Sequence, residues 1–230
     1  MKFTEQLNAV AIDGPAGSGK STISKLVAEK LGFTYIDTGA MYRALTLKVM
    51  EEKIDFSNEE KIINLSKNID IKLLPARDGI NTIKVLLDGK DVSEKIRAAD
   101  VTRNVKYTAK LKGVRENLVA LQRLMAEKLS GVVMEGRDIT TVVLPTAKYK
   151  IYLDASFEER VKRRLLEFEK KGEILPVEEL EKDLEERDNS DFTRDVGPLK
   201  KAEGAIVIDT TNLSISDVVT RITDYVKKKL

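Results

Sequence analysis

The sequence contains no cysteine, no histidine and no tryptophan. Without cysteine there is no disulfide, no zinc–thiolate site and no thiol nucleophile, and without histidine the commonest general acid–base is missing. Chemistry must then rest on Lys, Arg, Asp, Glu or backbone amides. That set favours phosphoryl transfer, in which positioning and positive charge do most of the catalysis. Long apolar runs are also lacking: none approaches the roughly 18–20 residues of a membrane span, and the first eight residues lack the apolar stretch of a signal peptide. A cytoplasmic protein with no membrane contact is expected. An excess of one charge is absent too, since 40 Lys and Arg stand against 38 Asp and Glu, leaving +2. The charges are interspersed and form no basic track for nucleic acid. What remains is a chain of 230 residues, 42% hydrophobic. It is long enough for one domain with insertions or two small ones, and should bury about 70% of its unfolded surface without staples.

Residues 8–13 (NAVAID) form a short apolar run ending at Gly14, the pattern of a buried parallel strand feeding a glycine-rich turn. Ile23, Leu26, Val27 and Leu31 then fall at helical spacing, with Gly32 where a C-terminal cap belongs. Further short strands are predicted at 34–36, 132–134, 149–153 and 205–208, and their alternation with helical stretches reads as a parallel α/β sheet. Ser156 with Glu159 fits a capping box, and Ser214 with the shorter Asp217 fits it less well. Leu111, Val114, Leu118, Leu121 and Met125 recur at steps of three and four, a stripe too short for a stable zipper and read as core packing. Two segments break the rhythm. Residues 69–92 read as antiparallel strands around a turn-rich stretch at 75–81, with a second turn at Asp88-Gly89. Residues 170–201 are dense in charge with few apolar anchors, either a solvated helix or a mobile cover over an anionic site.

The chemistry is carried by Gly14-Pro15-Ala16-Gly17-Ser18-Gly19-Lys20-Ser21, which fits G-x-x-x-x-G-K-[ST] and lies between the first predicted strand and helix. In this P-loop, glycines let successive N–H groups surround a polyphosphate while the helix start adds its positive dipole end. Lys20 is expected to reach the β- and γ-phosphates, Ser21 to bind Mg²⁺ and Thr22 to contact the α-phosphate of ATP. Neither the D-x-x-G nor the N-K-x-D element of GTPases is present. The natural reading is a small-molecule kinase that brings two anions together. Arginines suited to hold them follow predicted strand ends or lie in the charged segment: Arg43, Arg137, Arg187 and Arg194.

IDGPAGSGKST, IDTGAMYRA, LLDGKDVSEKIR, GVVMEGRDIT, IYLDAS-x-EER-x-KRR and ERDNSDFTR, in this order over nearly the whole chain, resemble the bacterial cytidylate kinases. The resemblance implies one P-loop kinase domain over 1–230: a three-layer α/β fold on a five-stranded parallel sheet, with core 1–68 and 110–230, a β-rich insert at about 69–109 in the monophosphate-binding region, and a helical lid at about 170–201. It implies transfer from ATP to CMP, with dCMP accepted; Mg²⁺ as the metal, a monomeric state and small-molecule nucleotide partners only are expected alongside. Carried over by position, it places Lys20, Arg137, Arg187 and Arg194 on the transferring phosphoryl group and Arg43 near the phosphates. Arg187 and Asp191 fall nearer the sugar. Thr38 and Tyr42 line the monophosphate site, and Asp138 and Arg115 read the cytosine edge. Arg163 is a candidate for the ATP side, with a solvated cation on its helix face as the alternative. Asp138 has an alternative use, a local ion pair with Arg137. Where many relatives read D-G-R-D-[IM]-G-T, this chain has Glu135 for the first Asp and Thr140 for the Gly, the latter expected to narrow the pocket; Lys106 stands where a small hydroxyl belongs beside the base. A P-loop kinase for UMP or another small acceptor, and an ATP-gated binding module without transfer activity, are the rival readings.

Overall fold

The computed structural model describes residues 8–74, 84–170, 172 and 175–229. Five strands, β1 (Asn8–Asp13), β2 (Thr34–Asp37), β6 (Gly131–Gly136), β7 (Tyr149–Asp154) and β8 (Ile206–Asp209), form a parallel sheet in the order β2-β6-β1-β7-β8. The central strands are buried on both faces, which is why they read as continuous apolar runs. Register positions the site: Asp13 is level with Gly136, and Asp37 with Glu135. The C-terminal ends of β1, β2 and β6 therefore deliver the glycine loop, the start of the next helix and the Arg137 turn to one edge, where open α/β sheets bind ligands.

Local chemistry sets the helix ends. Gly32 closes α1 (Lys20–Leu31) in the left-handed region at φ 67°. The Asp37 carboxylate caps α2 (Thr38–Glu51) by accepting from Ala40 N at 2.9 Å. The two predicted capping boxes exchange ranks. At α8 (Ile215–Lys227), Ser214 and Asp217 form the reciprocal pair in full. At α6 (Phe157–Glu169), Ser156 accepts from Glu159 N, but Arg163 Nε holds the Glu159 carboxylate at 2.9 Å, so only half a box forms.

Residues 69–92 contain an antiparallel sheet of β3 (Ile71–Leu74), β4 (Lys84–Leu87) and β5 (Lys90–Asp91). Asp88 and Gly89 turn it with φ of 49° and 79°, a hairpin conformation Asp-Gly favours. The predicted turn at 75–81 lies outside the described residues. This sheet packs into one apolar cluster with α2, α3 (Glu59–Lys67), α4 (Ala99–Ala109) and α5 (Lys112–Glu127), and the stripe on α5 lies in it as core.

The charged segment forms α7 (Val177–Thr193) and is better anchored than its composition suggests. Leu180 and Leu184 are buried against Ala16 of the glycine loop and Val161 of α6. Its opposite flank reaches α4 through Arg103–Glu179 (3.4 Å) and Lys106–Glu186 (2.9 Å). Among the described residues, no helix is long and apolar enough to cross a membrane.

Candidate active site

The loop from Gly14 to Lys20 turns tightly, with Gly17 and Gly19 in the left-handed region at φ 78° and 85°. A Cβ at Gly17 would sit 2.9 Å from Arg160 Cβ, so α6 can approach only bare backbone. Pro15, Ala16 and Ser18 are buried, while Ser21 and Thr22 are exposed on the first turn of α1. Lys20 is buried and donates from Nζ to the Pro15 carbonyl at 2.6 Å. Burial, then the Arg137 and Arg187 charges, push its pKa down to about 7. The Glu135 and Asp191 carboxylates offset this only in part, so a desolvated ammonium beside two other cations is suited to an anion.

Arg137 and Arg187 act on Lys20 directly, Arg43 acts on Arg187, and Arg194 shares the Asp191 carboxylate with Arg137. Asp191 holds two of them, accepting from Arg137 Nε at 2.7 Å on one oxygen and Arg194 Nη1 at 3.1 Å on the other. Against its own burial, Arg137, Arg187 and Arg194 keep Asp191 below the usual carboxylate range. Arg43 pairs with Asp37 at 2.9 Å. Arg187, half-buried, makes no hydrogen bond or ion pair among the described residues. Burial and then Arg137 push it down to about 10. Such a concentration of positive charge is suited to binding an anion.

A second group lies beside the first. Arg115 and Asp138 form a buried ion pair, with the Arg115 guanidinium 5.3 Å from the Tyr42 ring centroid. The alternative Arg137–Asp138 pair is not formed: Arg137 turns to Asp191 and Asp138 to Arg115. Asp138 Oδ1 takes no hydrogen bond among the described residues. Among the described residues Tyr42 Oη, Arg43 Nε, Arg115 Nε, Arg194 Nη2 and both amide atoms of Gln122 are buried with no partner at hydrogen-bond geometry. Each such atom costs about 1–3 kcal/mol if left unsatisfied, so their concentration marks where a polar ligand belongs. Tyr42 sits with this group, and Thr38 spends its hydroxyl on the Glu135 carbonyl at 2.7 Å.

Arg163 is on the far side of the loop, its guanidinium 3.4 Å from the Gly17 carbonyl and 2.7 Å from that of Thr210. Glu135 is buried against Tyr35, which donates to it; burial and then Asp37 raise its pKa, while Lys20, Tyr35 and the Ser21 hydroxyl act in the other sense. Thr140 does not narrow a pocket. It is buried with its hydroxyl turned away to Asp13 at 2.6 Å. Lys106 points to α7 through Glu186, so it takes no part in the Arg115–Asp138 group.

Sequence reasoning passed over three residues here. Arg160 donates to the Ala16 carbonyl at 3.1 Å and pairs with Asp188, joining loop, α6 and α7; its i,i+3 spacing from Arg163 was the available signal. Gln122 lies seven residues after Arg115, on the same helix face. Gly197, at φ 60°, lies so close over the Arg115–Asp138 pair that a Cβ would come within 2.7 Å of Arg115 Nη2.

Residues 10–228 match the family model described as "Cytidylate kinase". A cytidylate kinase of Alkaliphilus oremlandii is 52% identical over 95% of this chain and 97% of its own length. That of Bacillus subtilis is 48% identical over 98% and 99%. Among solved structures, TT1252 of Thermus thermophilus shares the fold, at a TM-score of 0.50 and 18% identity, with 98% of each chain covered.

Proposed function

The chain belongs to the cytidylate kinase family, and on that premise we propose that it transfers the γ-phosphoryl group of ATP to CMP, giving ADP and CDP, with dCMP as a second acceptor and Mg²⁺ as the metal. An acceptor phosphate is already an anion at neutral pH, so no general base is needed; this suits a chain without histidine. A phosphate oxygen of CMP forms the new bond to the γ-phosphorus as the bond to the ADP oxygen breaks. Lys20 and the loop amides hold the β- and γ-phosphates of ATP. Arg43, Arg137 and Arg194 hold the acceptor phosphate, and Arg187 supplies charge between the two anions. Asp191 keeps Arg137 and Arg194 aimed and takes the sugar. Arg115 and Asp138 read the base: Asp138 Oδ1 accepts from the exocyclic amine of cytosine and opposes the carbonyl of uracil. Arg163, with Thr22, serves the ATP side.

The residues present fit a magnesium ion. Mg²⁺ takes hard oxygens and keeps several waters, so one or two protein ligands suffice, as expected where no cluster of three acidic side chains exists among the described residues. The Ser21 hydroxyl would hold it, with the buried carboxylates Glu135 and Asp37 behind. When bound, the ion neutralises the β- and γ-oxygens.

The observation that carries this reading is the cation cluster at the loop mouth, with Arg187 unpaired among the described residues and Lys20 pushed down, beside a buried Arg–Asp pair with an open carboxylate oxygen. The test is an acceptor panel of CMP, dCMP, UMP and AMP with ATP and Mg²⁺, read by product chromatography. CDP and dCDP are expected, with UDP well behind. Equal use of UMP would remove base reading, and ATP binding without any product would leave a nucleotide-gated module.

A further inference from the structure

The parallel ladder between β1 and β6 ends with Asp13 opposite Gly136. Beyond that last rung the two strands stay joined through a side chain. Asp13, fully buried, accepts on Oδ1 from Ile139 N at 2.9 Å, and on Oδ2 from Thr140 N at 2.7 Å and Thr140 Oγ1 at 2.6 Å. Asp13 immediately precedes the glycine loop, and Ile139 and Thr140 immediately follow Arg137 and Asp138. The segment Ile139–Val143 is a π-turn, in which the Val142 and Val143 N–H groups both reach the Asp138 carbonyl, at 2.8 and 3.1 Å. A turn of this kind leaves its first N–H and last C=O groups without internal partners. Asp13 serves the first. At the other end Arg123 of α5 donates to the Val142 and Val143 carbonyls at 2.6 and 2.9 Å.

We propose that Asp13 is a positioning residue that clamps the Arg137–Asp138 turn to the strand bearing the ATP loop, and that the Thr140 hydroxyl is the third point of that clamp. Arg137 and Asp138 reach sideways to Asp191 and Arg115, contacts that belong to α7 and α5. Neither bond ties the turn to β1. Past the last ladder rung at Gly136 Asp13 does, and it therefore fixes where the turn bearing the acceptor-holding residues sits relative to the donor loop. A bare glycine at 140 would leave two points of attachment, both to backbone; Thr140 adds a bond that also fixes its own side chain away from the site.

The same carboxylate gives the clamp a pH signature. The titratable groups facing it are Asp138 in the turn and Tyr152, its register partner on β7; no Lys or Arg pairs with it among the described residues. Burial, opposed by the Thr140 and Ile139 bonds, pushes Asp13 up to about 6. Above that pH the carboxylate accepts all three bonds, and below it a proton occupies one oxygen and the clamp loosens.

This inference rests on CMP being the acceptor, so turnover of CMP by the unaltered protein is measured first; if it fails, that reading falls, and the variants are assayed with whichever acceptor the panel identifies. Thr140→Val keeps the shape and removes one bond to the carboxylate. It is expected to raise KM for CMP about 3- to 10-fold, the size of one hydrogen bond, with KM for ATP changed less than about 2-fold. Thr140→Ser should restore the original value. Asp13→Asn places an N–H donor against donors and should lower kcat/KM for CMP about 10- to 100-fold. The CMP phosphate itself titrates near pH 6, so the diagnostic is the difference between profiles: the unaltered protein should lose more activity below pH 6 than Asp13→Asn does. Unchanged KM for CMP in Thr140→Val, or equal rises for CMP and ATP, would overturn the proposal, as would identical pH profiles. If Asp13→Asn does not fold, the Thr140 pair decides alone.

Discussion

Replacing Asp138 by Asn separates two effects of one carboxylate, because the amide keeps its shape and loses its charge. The first effect is on stability. Asp138 and Arg115 are paired with side chains only 6% and 2% exposed. Removing a buried partner outright costs about 3–5 kcal/mol, but Asn retains an acceptor for Arg115, so the loss should be nearer a charged hydrogen bond, about 1.5–3 kcal/mol. For a chain of this length about 2–4 °C is lost per kcal/mol, giving a fall in Tm of about 3–12 °C. The second effect is on selectivity. In the original protein Oδ1 accepts from the cytosine amine and faces the uracil carbonyl as one acceptor against another, while the Asn amide can turn to donate. Discrimination should fall by roughly 1–3 kcal/mol, a narrowing of the CMP-to-UMP ratio of kcat/KM by about 5- to 150-fold. A coupled ADP assay with both acceptors, run well below the variant's Tm, reads it. If both acceptors lost activity by the same factor while Tm fell as expected, Asp138 would be a structural partner of Arg115 and the base-reading argument would be wrong.

Lys20→Ala should remain folded by circular dichroism, since its ammonium bonds only to its own loop, yet lose several orders of magnitude in kcat; near-normal turnover would remove the loop assignment. Arg160→Met should raise KM for ATP and lower Tm, because it releases the Ala16 carbonyl and leaves Asp188 buried without its cation, and a variant with neither change would show the contact to be idle. Trypsin cleavage at Arg187 should slow when CMP and a non-hydrolysable ATP analogue are both present, as α7 closes on its anions; equal rates with and without ligands would count against a lid. Asp13, with its pKa raised from 3.8 to about 6, binds its proton more tightly folded than unfolded, so its contribution to stability should grow as pH falls from about 6 towards 4. The Tm of the unaltered protein relative to Asp13→Asn should therefore rise over that window while activity declines, and a flat difference would place the carboxyl pKa near its ordinary value.

The core strands are legible because a strand buried on both faces has no alternation to disguise it, and NAVAID can do little else before a glycine loop. The Ile139–Val143 segment shows the limit. Its β-branched residues carry no local signal for a π-turn, and it becomes one because Asp13 and Arg123, far away in sequence, satisfy its ends. Ion-pair partners are hidden for the same reason: Arg137 stands next to Asp138 yet bonds Asp191, 54 residues on. Helix α7 looked unanchored because Leu180 and Leu184 are sparse in a charged sequence, although their i,i+4 spacing puts both on the face that meets the loop. At Glu159 a local rule lost to a stronger competitor, the Arg163 guanidinium one turn on. The orphaned atoms of Gln122 and Tyr42 could not be read at all, since burial without a partner exists only once α2 and α5 are packed together.

On the function proposed above, the loop and the arginine cluster move a phosphoryl group between two bound anions rather than to water. The most direct measurement uses ATP labelled at the γ-phosphate, with Mg²⁺ and saturating CMP, and follows the label in single turnover. Nearly all of it is expected in the terminal phosphate of CDP, with release of inorganic phosphate slower by orders of magnitude with or without acceptor. Label appearing chiefly as inorganic phosphate, at a rate indifferent to CMP, would contradict it.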